Sequence, residues 1–466
     1  MNGNRPNILW YCTDQQRFDT IGALGNEFVQ TPVLDQLVEG GTAFTHAYCQ
    51  SPICTPSRSS FMTGIYPSKL HNTRNGNDTF PSGPTLISRL LFDAGYDCGL
   101  VGKFHLVSAG RRTEPRLDDG YRFWKHSHAP RDDWPEGHDY AEWVRDKGGD
   151  LDALRDHPDR VPREFHQNTW ATERSIEFIN QDRDGPWMLS VNIYDPHPPF
   201  IPSKSYADRF PAESMPGPHF QSSDIEQQAK LADVDFQGNV RTPEEHEAKQ
   251  KQALYYAMIA QIDDEFGRLL QALDDSGQRE DTVIIFTSDH GETLGDHGLM
   301  YKGCRFYEGL VRVPLIFSWP GQFQTGLQSP GLVELLDMSA TMLELGGVDL
   351  PDYFQGRSLL PILRGQADPS RFREFVRCEY FDALDPHFTG GTGSYGTMYR
   401  DERYKLVVYH GKGQGELYDL KNDPWEHENL WEHAEAEPIR NELLYRSFDA
   451  HVLLTTDVGS RRIAPM

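Results

Sequence analysis

The chain has 466 residues, 45 of them basic and 70 acidic, for a formal net charge of −25. That length exceeds one ordinary core and predicts a large domain with a smaller one. The charge repels nucleic acid and anionic membrane, so neither is an expected partner, and an anionic ligand has to be drawn in by a local cluster of cations. Cys12, Cys49, Cys54, Cys98, Cys304 and Cys378 are scattered, without CxxC pairs or a framework spacing, which excludes zinc-finger and disulfide scaffolds.

Polar residues open the chain, with neither a secretory apolar segment nor an apolar run of membrane length. A soluble protein is expected, cytoplasmic as the sequence stands, periplasmic or secreted if a leader precedes it. Residues 7–13 form an apolar run of strand length, followed by Asp14-Gln15-Gln16 and Arg17. An acidic residue just past a buried strand sits where open α/β sheets hold their ligands. Asp14 is therefore a candidate metal ligand as well as a helix cap, and Gln15 can add an amide oxygen. A capped helix is predicted over 31–41 and a strand over 42–48.

That strand leads to Ser51-Pro-Ile-Cys-Thr-Pro-Ser-Arg-Ser-Ser-Phe-Met-Thr-Gly64. Pro56 suits the first turn of a helix starting near Cys54, whose N-terminus favours negative charge. Arg58 lies one turn on, on the same face, and can aim its guanidinium back at residue 54. His71, Arg74 and Asn75 follow in a polar loop and are candidate substrate contacts. A helix over 84–94 and a strand over 96–101 end in Gly102-Lys-Phe-His105. If that segment is extended, Lys103 and His105 point the same way.

Residues 111–166 are rich in charge, Trp and Pro with little periodicity, and read as a long insertion over the site in which Trp124, His126, His128 and Trp134 either line a cleft or anchor the loop. A helix over 168–180 and a strand over 186–193 lead to Tyr194-Asp-Pro-His-Pro-Pro-Phe200, where prolines stiffen the loop around His197. Residues 244–276 form a long amphipathic helix. The strongest buried strand, 282–288, delivers Asp289-His290-Gly-Glu292, then Gly295-Asp-His-Gly298 and Lys302. Asp296 and His297 read as turn-forming or supporting residues. A strand over 313–317 and a helix over 336–345 complete the large domain. Beyond about residue 369 the pattern changes to short strands over 375–380, 395–400, 404–409 and 415–420.

Taken together, these segments resemble the type I, formylglycine-dependent sulfatases of the alkaline phosphatase superfamily. The match runs through Cys54-Thr-Pro-Ser-Arg58, Gly102-Lys-Phe-His105, Pro196-His-Pro-Pro-Phe200, Asp289-His290, Lys302, and the closing Glu416-Leu-Tyr-Asp-Leu…Asp423-Pro-Trp-Glu…Asn429-Leu. The resemblance implies an alkaline-phosphatase-like α/β fold: a central mixed sheet flanked by helices over 1–369, and a C-terminal subdomain with a small antiparallel sheet and helix over 370–466. It also implies that a formylglycine-generating maturation enzyme oxidises Cys54 to an aldehyde that hydrates. One divalent cation, Ca²⁺ or, given the imidazole, Mn²⁺, is then held by Asp14, Gln15, residue 54, Asp289 and His290.

In this resemblance Arg58 orients the hydrate, Lys103 and Lys302 bind sulfate, His105 acts as base, and His197 or Lys302 protonates the departing oxygen. Many sulfatases carry a second Asp at position 15 and an Asn at position 290. Gln15 and His290 resemble instead the branch with choline sulfatases, glycan sulfatases and phosphonate monoester hydrolases. The expected function is hydrolysis of a carbohydrate sulfate monoester. A phosphonate or phosphate ester hydrolase is the alternative, as is a non-catalytic binder of sulfated ligands if Cys54 stays a thiol. The sequence leaves the sugar and the oligomeric state open.

Overall fold

A computed structural model describes residues 5–108, 114–132, 137–156, 161–385 and 393–455. Among them, strands β1 (Asn7–Thr13), β2 (Thr42–Tyr48), β3 (Asp97–Gly102), β4 (Phe123–His126), β5 (Trp187–Asn192), β6 (Thr282–Ser288), β7 (Arg312–Val313), β8 (Leu315–Ser318) and β9 (Leu327–Glu334) form one sheet. Its order is β4-β3-β5-β1-β6-β8-β2-β7, with β9 also on β2. A second, antiparallel sheet holds β10 (Val376–Phe381), β11 (Tyr395–Arg400), β12 (Tyr404–Tyr409) and β13 (Gln414–Asp419) in sequence order. The helices used below are α1 (Pro32–Glu39), α2 (Cys54–Thr63), α3 (Ile87–Asp93), α4 (Gln167–Ile179), α5 (Ser222–Lys230), α6 (Ala248–Asp275), α7 (Leu335–Leu345) and α8 (Glu437–Thr455).

The large sheet is buried on both faces, and its strands show why. In β1, Ile8, Trp10 and Cys12 face one core with α2 and α7, while Leu9 and Tyr11 face a second with α1, α4 and α6. The same alternation splits Val283 and Ile285 from Ile284 and Phe286 in β6. Each such side chain contributes about 1.5–3 kcal/mol on burial, so a register slip of one residue would exchange both faces at prohibitive cost.

The strands β4, β3, β5, β1 and β6 run parallel, so their carboxyl ends share one edge. Thr13 pairs with Ser288, and Cys12 and Gly102 both pair with Asn192. The next residues out are Asp14, Asp289 and Lys103. Side-by-side placement of these three is thus a consequence of strand register.

Three expectations need correction. The insertion is not free of regular structure: Phe123–His126 adds a parallel edge strand beside β3, and helices span Asp139–Asp146 and Leu151–Asp156. Strand β9 was hidden because a Pro-Gly pair interrupts its apolar run. The segment after β3 is not extended: Gly102 has φ +103, and a Cβ there would lie 1.9 Å from the Asn192 carbonyl oxygen. Only glycine permits that approach, and it turns the chain back over β5.

Candidate active site

Helix α2 begins at Cys54 and is buried along its whole length. Its end is fixed by Gly64, whose φ of +72 is left-handed and whose Cβ would strike the Phe354 ring. Its start is held against the sheet edge: Asn75 accepts from the Thr55 N–H at 2.9 Å, and the Ser57 hydroxyl donates to the Asp289 carbonyl oxygen at 2.6 Å. Cys54 Sγ then lies 3.6 Å from Asp14 Oδ1, 3.1 Å from His290 Nε2 and 2.9 Å from Lys302 Nζ.

Asp14, Asp289, His290, Gln15, Arg58, Lys103 and Lys302 are all buried around this point. Lys103 Nζ pairs with Asp14 Oδ2. Arg58 donates from Nε to Asp289 Oδ2 at 2.8 Å and from Nη1 to the Lys103 carbonyl oxygen at 3.1 Å. Its guanidinium is therefore committed to Asp289 and the β3 terminus instead of to residue 54 alone, and Nη2, 3.8 Å from Asp14 Oδ2, has no hydrogen-bond partner among the described residues. Gln15 is oriented by Glu292, which accepts from its Nε2, so that Oε1 turns inward and accepts from Lys302 at 2.8 Å.

The donor set suits a divalent cation. Asp14, Cys54, Asp289 and His290 each offer one ligand atom, all within 4.8 Å of one another. The Nδ1 hydrogen of His290 is spent on the Gly291 carbonyl oxygen at 2.8 Å, which leaves Nε2 as the atom facing the group. Burial is the largest influence on the His290 pKa and lowers it, but Asp289 and Cys54 together more than offset burial and Lys302, and the net shift is upward: this spot favours positive charge. Burial raises the Asp14 carboxyl, yet Lys103, His197, Arg58 and Lys302 hold it well below the usual carboxylate range. Burial and Asp14 push the Cys54 thiol up, Lys103, Lys302 and His290 pull it down, and the balance is downward.

The cluster opens on a cavity of about 730 Å³ lined by Cys54, Asn75, Lys103, His105, His197 and Lys302, with Gln237, Arg131 and Arg155 at its rim. Volumes of about 300–1,000 Å³ are ordinary for small-ligand sites. His105 reaches it through its own left-handed conformation, φ 56, and its backbone N–H is held by Glu114 at 2.6 Å. His105 Nδ1 has no hydrogen-bond partner among the described residues, and the His128 ring stands edge-on to it at 4.6 Å. His197 donates from Nδ1 to the Pro198 carbonyl oxygen at 2.6 Å, which exposes Nε2. Burial lowers both imidazoles, with Lys103 and Lys302 adding to the effect.

Not every expected residue arrives. Arg74 pairs with Asp382 at 2.5 Å and His71 is an exposed residue ending the short helix Pro67–Leu70; neither lines the cavity. Asn75 does. Trp124 packs against Phe104, Arg116 and His126 as a loop anchor, while His128 joins the cavity wall. Trp134 lies outside the described residues. Sequence reasoning missed Asn192, which accepts from Arg58 Nη1 at 3.3 Å, and Glu292. Glu292 had a signal, since an acidic residue three past Asp289 on a strand exit has few other partners.

A sequence profile described as "Sulfatase" matches residues 6–348, and one described as "N-sulphoglucosamine sulphohydrolase, C-terminal" matches residues 295–450. The "Multifunctional alkaline phosphatase superfamily protein PehA" of Trinickia caryophylli is 33% identical over 482 residues, covering 91% of each chain. The N-acetylglucosamine-6-O-sulfatase of Bacteroides thetaiotaomicron is 26% identical over 503 residues, covering 94% of this chain and 85% of its own. Among solved structures, the phosphonate monoester hydrolase of Agrobacterium radiobacter superposes with a TM-score of 0.82 at 25% identity, covering 96% of each chain.

Proposed function

The chain belongs to the sulfatase family and is a sulfuric ester hydrolase, and from that premise we propose that it removes sulfate from a carbohydrate ester using a formylglycine made from Cys54 and one divalent cation. The observation that carries this reading is the convergence of Cys54, two carboxylates, His290 and two lysines beneath one cavity. The relative named for an N-acetylglucosamine sulfate and the polar rim of Asn75, Gln237, Arg131 and Arg155 favour a hydroxyl-rich substrate. We keep residues 1–369 as the catalytic domain and 370–466 as the C-terminal subdomain, and we expect a formylglycine-generating enzyme as maturation partner.

Asp14, Gln15, Asp289, His290 and residue 54 would hold the cation, Ca²⁺ or Mn²⁺, and that ion with the aldehyde hydrate would supply an acidified nucleophilic hydroxyl and screening of sulfate charge. Lys103 and Lys302 add fixed positive charge for the sulfate oxygens in a site that excludes bulk water. Arg58 locks Asp289 and the end of β3 in place, and its Nη2, 3.8 Å from Asp14 Oδ2, keeps a proton for residue 54. Lys302 Nζ, touching both Gln15 Oε1 and Sγ, gives a proton to the departing alcohol oxygen. His197 is the second donor in its imidazolium form, in which Nε2 also carries a proton while Nδ1 stays on the Pro198 carbonyl; such a placed acid is worth about 10²- to 10⁴-fold. His105 takes a proton from residue 54 so that ester and water end as alcohol and sulfate.

A phosphonate or phosphate ester substrate is the second reading, favoured by the 33% relative and the hydrolase structure. A binder without catalysis follows only if Cys54 stays unconverted. The test is a screen of defined sulfated mono- and oligosaccharides, with matched aryl sulfate, phosphate and phosphonate esters, against wild type and Cys54→Ala, plus peptide mass spectrometry of residue 54. Sulfate release lost in Cys54→Ala supports the proposal; equal release by both proteins overturns it. Faster turnover of phosphonates than of any sulfate selects the second reading.

A further inference from the structure

Away from the sheet edge, three side chains from distant parts of the chain meet at one point. Asp224 comes from the first turn of α5, His297 from the turn Asp296–Gly298, and His427 from the loop after β13. Each offers one ligand atom, and all three atoms lie within 4.8 Å of one another. His297 Nδ1 is 3.4 Å from Asp224 Oδ1, and His427 Nδ1 is 3.3 Å from that same Oδ1 and 3.3 Å from Oδ2. We propose that Asp224, His297 and His427 form a second, structural metal site for Zn²⁺ that ties the catalytic domain to the C-terminal subdomain.

The distances are the first argument. Zinc with nitrogen and oxygen ligands about 2.0–2.1 Å away sets tetrahedral donor atoms about 3.3 Å apart along each edge. A charge-assisted N–H···O bond closes to about 2.7–2.9 Å instead. Several buried carboxylates elsewhere in this chain do close to that range, as Asp296 on Arg17 at 2.7 Å and Asp289 on Arg58 at 2.8 Å, while the Arg373 to Glu334 contact stays at 3.3 Å. The Asp224 contacts are longer, at the tetrahedral edge.

Support around the three residues is the second argument. Asp224 Oδ2 accepts from the Gln221 N–H at 2.7 Å, which fixes the carboxylate plane. The His297 ring is stacked on Tyr307 at 3.7 Å and its residue is held at φ 54, a conformation that L side chains rarely adopt. The His427 carbonyl oxygen accepts from Gln227 Nε2 at 2.7 Å. Asp224 and His297 are buried while His427 is half-buried, on the wall of a cavity of about 910 Å³. Two imidazoles, one carboxylate and an opening for a water make the four-coordinate set that zinc prefers, and the N/O mixture distinguishes it from an oxygen-only calcium site.

The experiment uses the whole chain stripped with chelator and titrated with Zn²⁺ alone, in a Cys54→Ala, Asp14→Asn background that disables the first site. Calorimetry and metal analysis are expected to give one zinc per chain, and thermal melting a zinc-dependent rise. Asp224→Asn, nearly isosteric, and His427→Ala are each expected to weaken zinc binding by at least about tenfold and to abolish the rise. Co²⁺ in place of Zn²⁺ is expected to give the visible absorption of a tetrahedral ion, lost in both variants. Zinc affinity unchanged in both variants, or no zinc bound by the folded background protein, overturns the site and leaves a carboxylate hydrogen-bonded to two imidazoles. Circular dichroism confirms that each variant is folded, and the readouts do not depend on ester hydrolysis.

Discussion

Two groups of buried charge are built on opposite principles. Where α7 meets β10, Arg373 grips Asp337 with two nitrogens, Nε to Oδ2 at 2.7 Å and Nη2 to Oδ1. Asp337 also accepts from the Glu334 N–H at 2.8 Å and the Arg357 N–H at 2.8 Å, and Glu334 accepts from Tyr66 at 2.6 Å and the Arg377 N–H at 2.8 Å. The two carboxylates there are saturated by one arginine fork, a phenol and backbone donors, and neither lines the catalytic cavity. At the sheet edge the cations are mostly lysines, Arg58 keeps one nitrogen without a hydrogen bond among the described residues, and Cys54, Lys103 and Lys302 all face that cavity. A closed network of arginine forks holds a fold together; point charges aimed at a void are available to a ligand.

The comparison can be broken most severely at residue 54. Cys54→Ala is expected to lower kcat/KM for an aryl sulfate by more than about 10⁴-fold while leaving the urea midpoint close to wild type, because it removes the nucleophile and no charge partner of the fold. A variant retaining a tenth of the activity would end the assignment. Arg373→Met is the mirror experiment. It strands Glu334 and Asp337 as buried unpaired carboxylates, and urea unfolding should show about 3–5 kcal/mol of lost stability, with kcat/KM of the folded fraction near wild type. A loss below 1 kcal/mol would mean the network is not structural.

Lys302→Met should fall between these, cutting kcat/KM by about 10²-fold with a smaller stability change than Arg373→Met, since it removes charge at the ester and a proton donor. If stability fell as far as in Arg373→Met while turnover held, the two networks would be alike. The mildest case is Arg74→Ala. Its partner Asp382 is on the surface side of the loop, so kcat/KM on the same aryl sulfate should stay within about twofold of wild type and melting should hardly move. A tenfold rise in KM would return Arg74 to the substrate site.

Much of this site could be read from the chain in one dimension. Apolar runs of strand length at 7–13 and 282–288 demand burial on both faces, and polar residues directly after them, Asp14 and Asp289, can only emerge at a sheet edge. Helix α2 was visible from Pro56 and Gly64 because proline and glycine act on their own backbone and need no neighbour. Lys103 and His105 both line the cavity, but through a left-handed turn, not an extended segment, and that turn depends on how near Gly102 comes to Asn192. His71 and Arg74 sat beside the signature in sequence, yet Asp382, more than three hundred residues on, captures the arginine.

The amino-acid order by itself determined that the runs at 7–13 and 282–288 are buried strands, where they end, and which side chains stand at those ends, because periodicity and backbone preference are local properties of a few neighbouring residues; β4 and β9 emerged only in the fold. Tertiary structure alone decided the partners: that Arg58 spends itself on Asp289, that Glu292 turns the Gln15 oxygen inward, and that Asp224, His297 and His427 converge. Those pairings join segments tens to hundreds of residues apart, and their geometry is set by sheet register and close packing, which a local pattern does not carry.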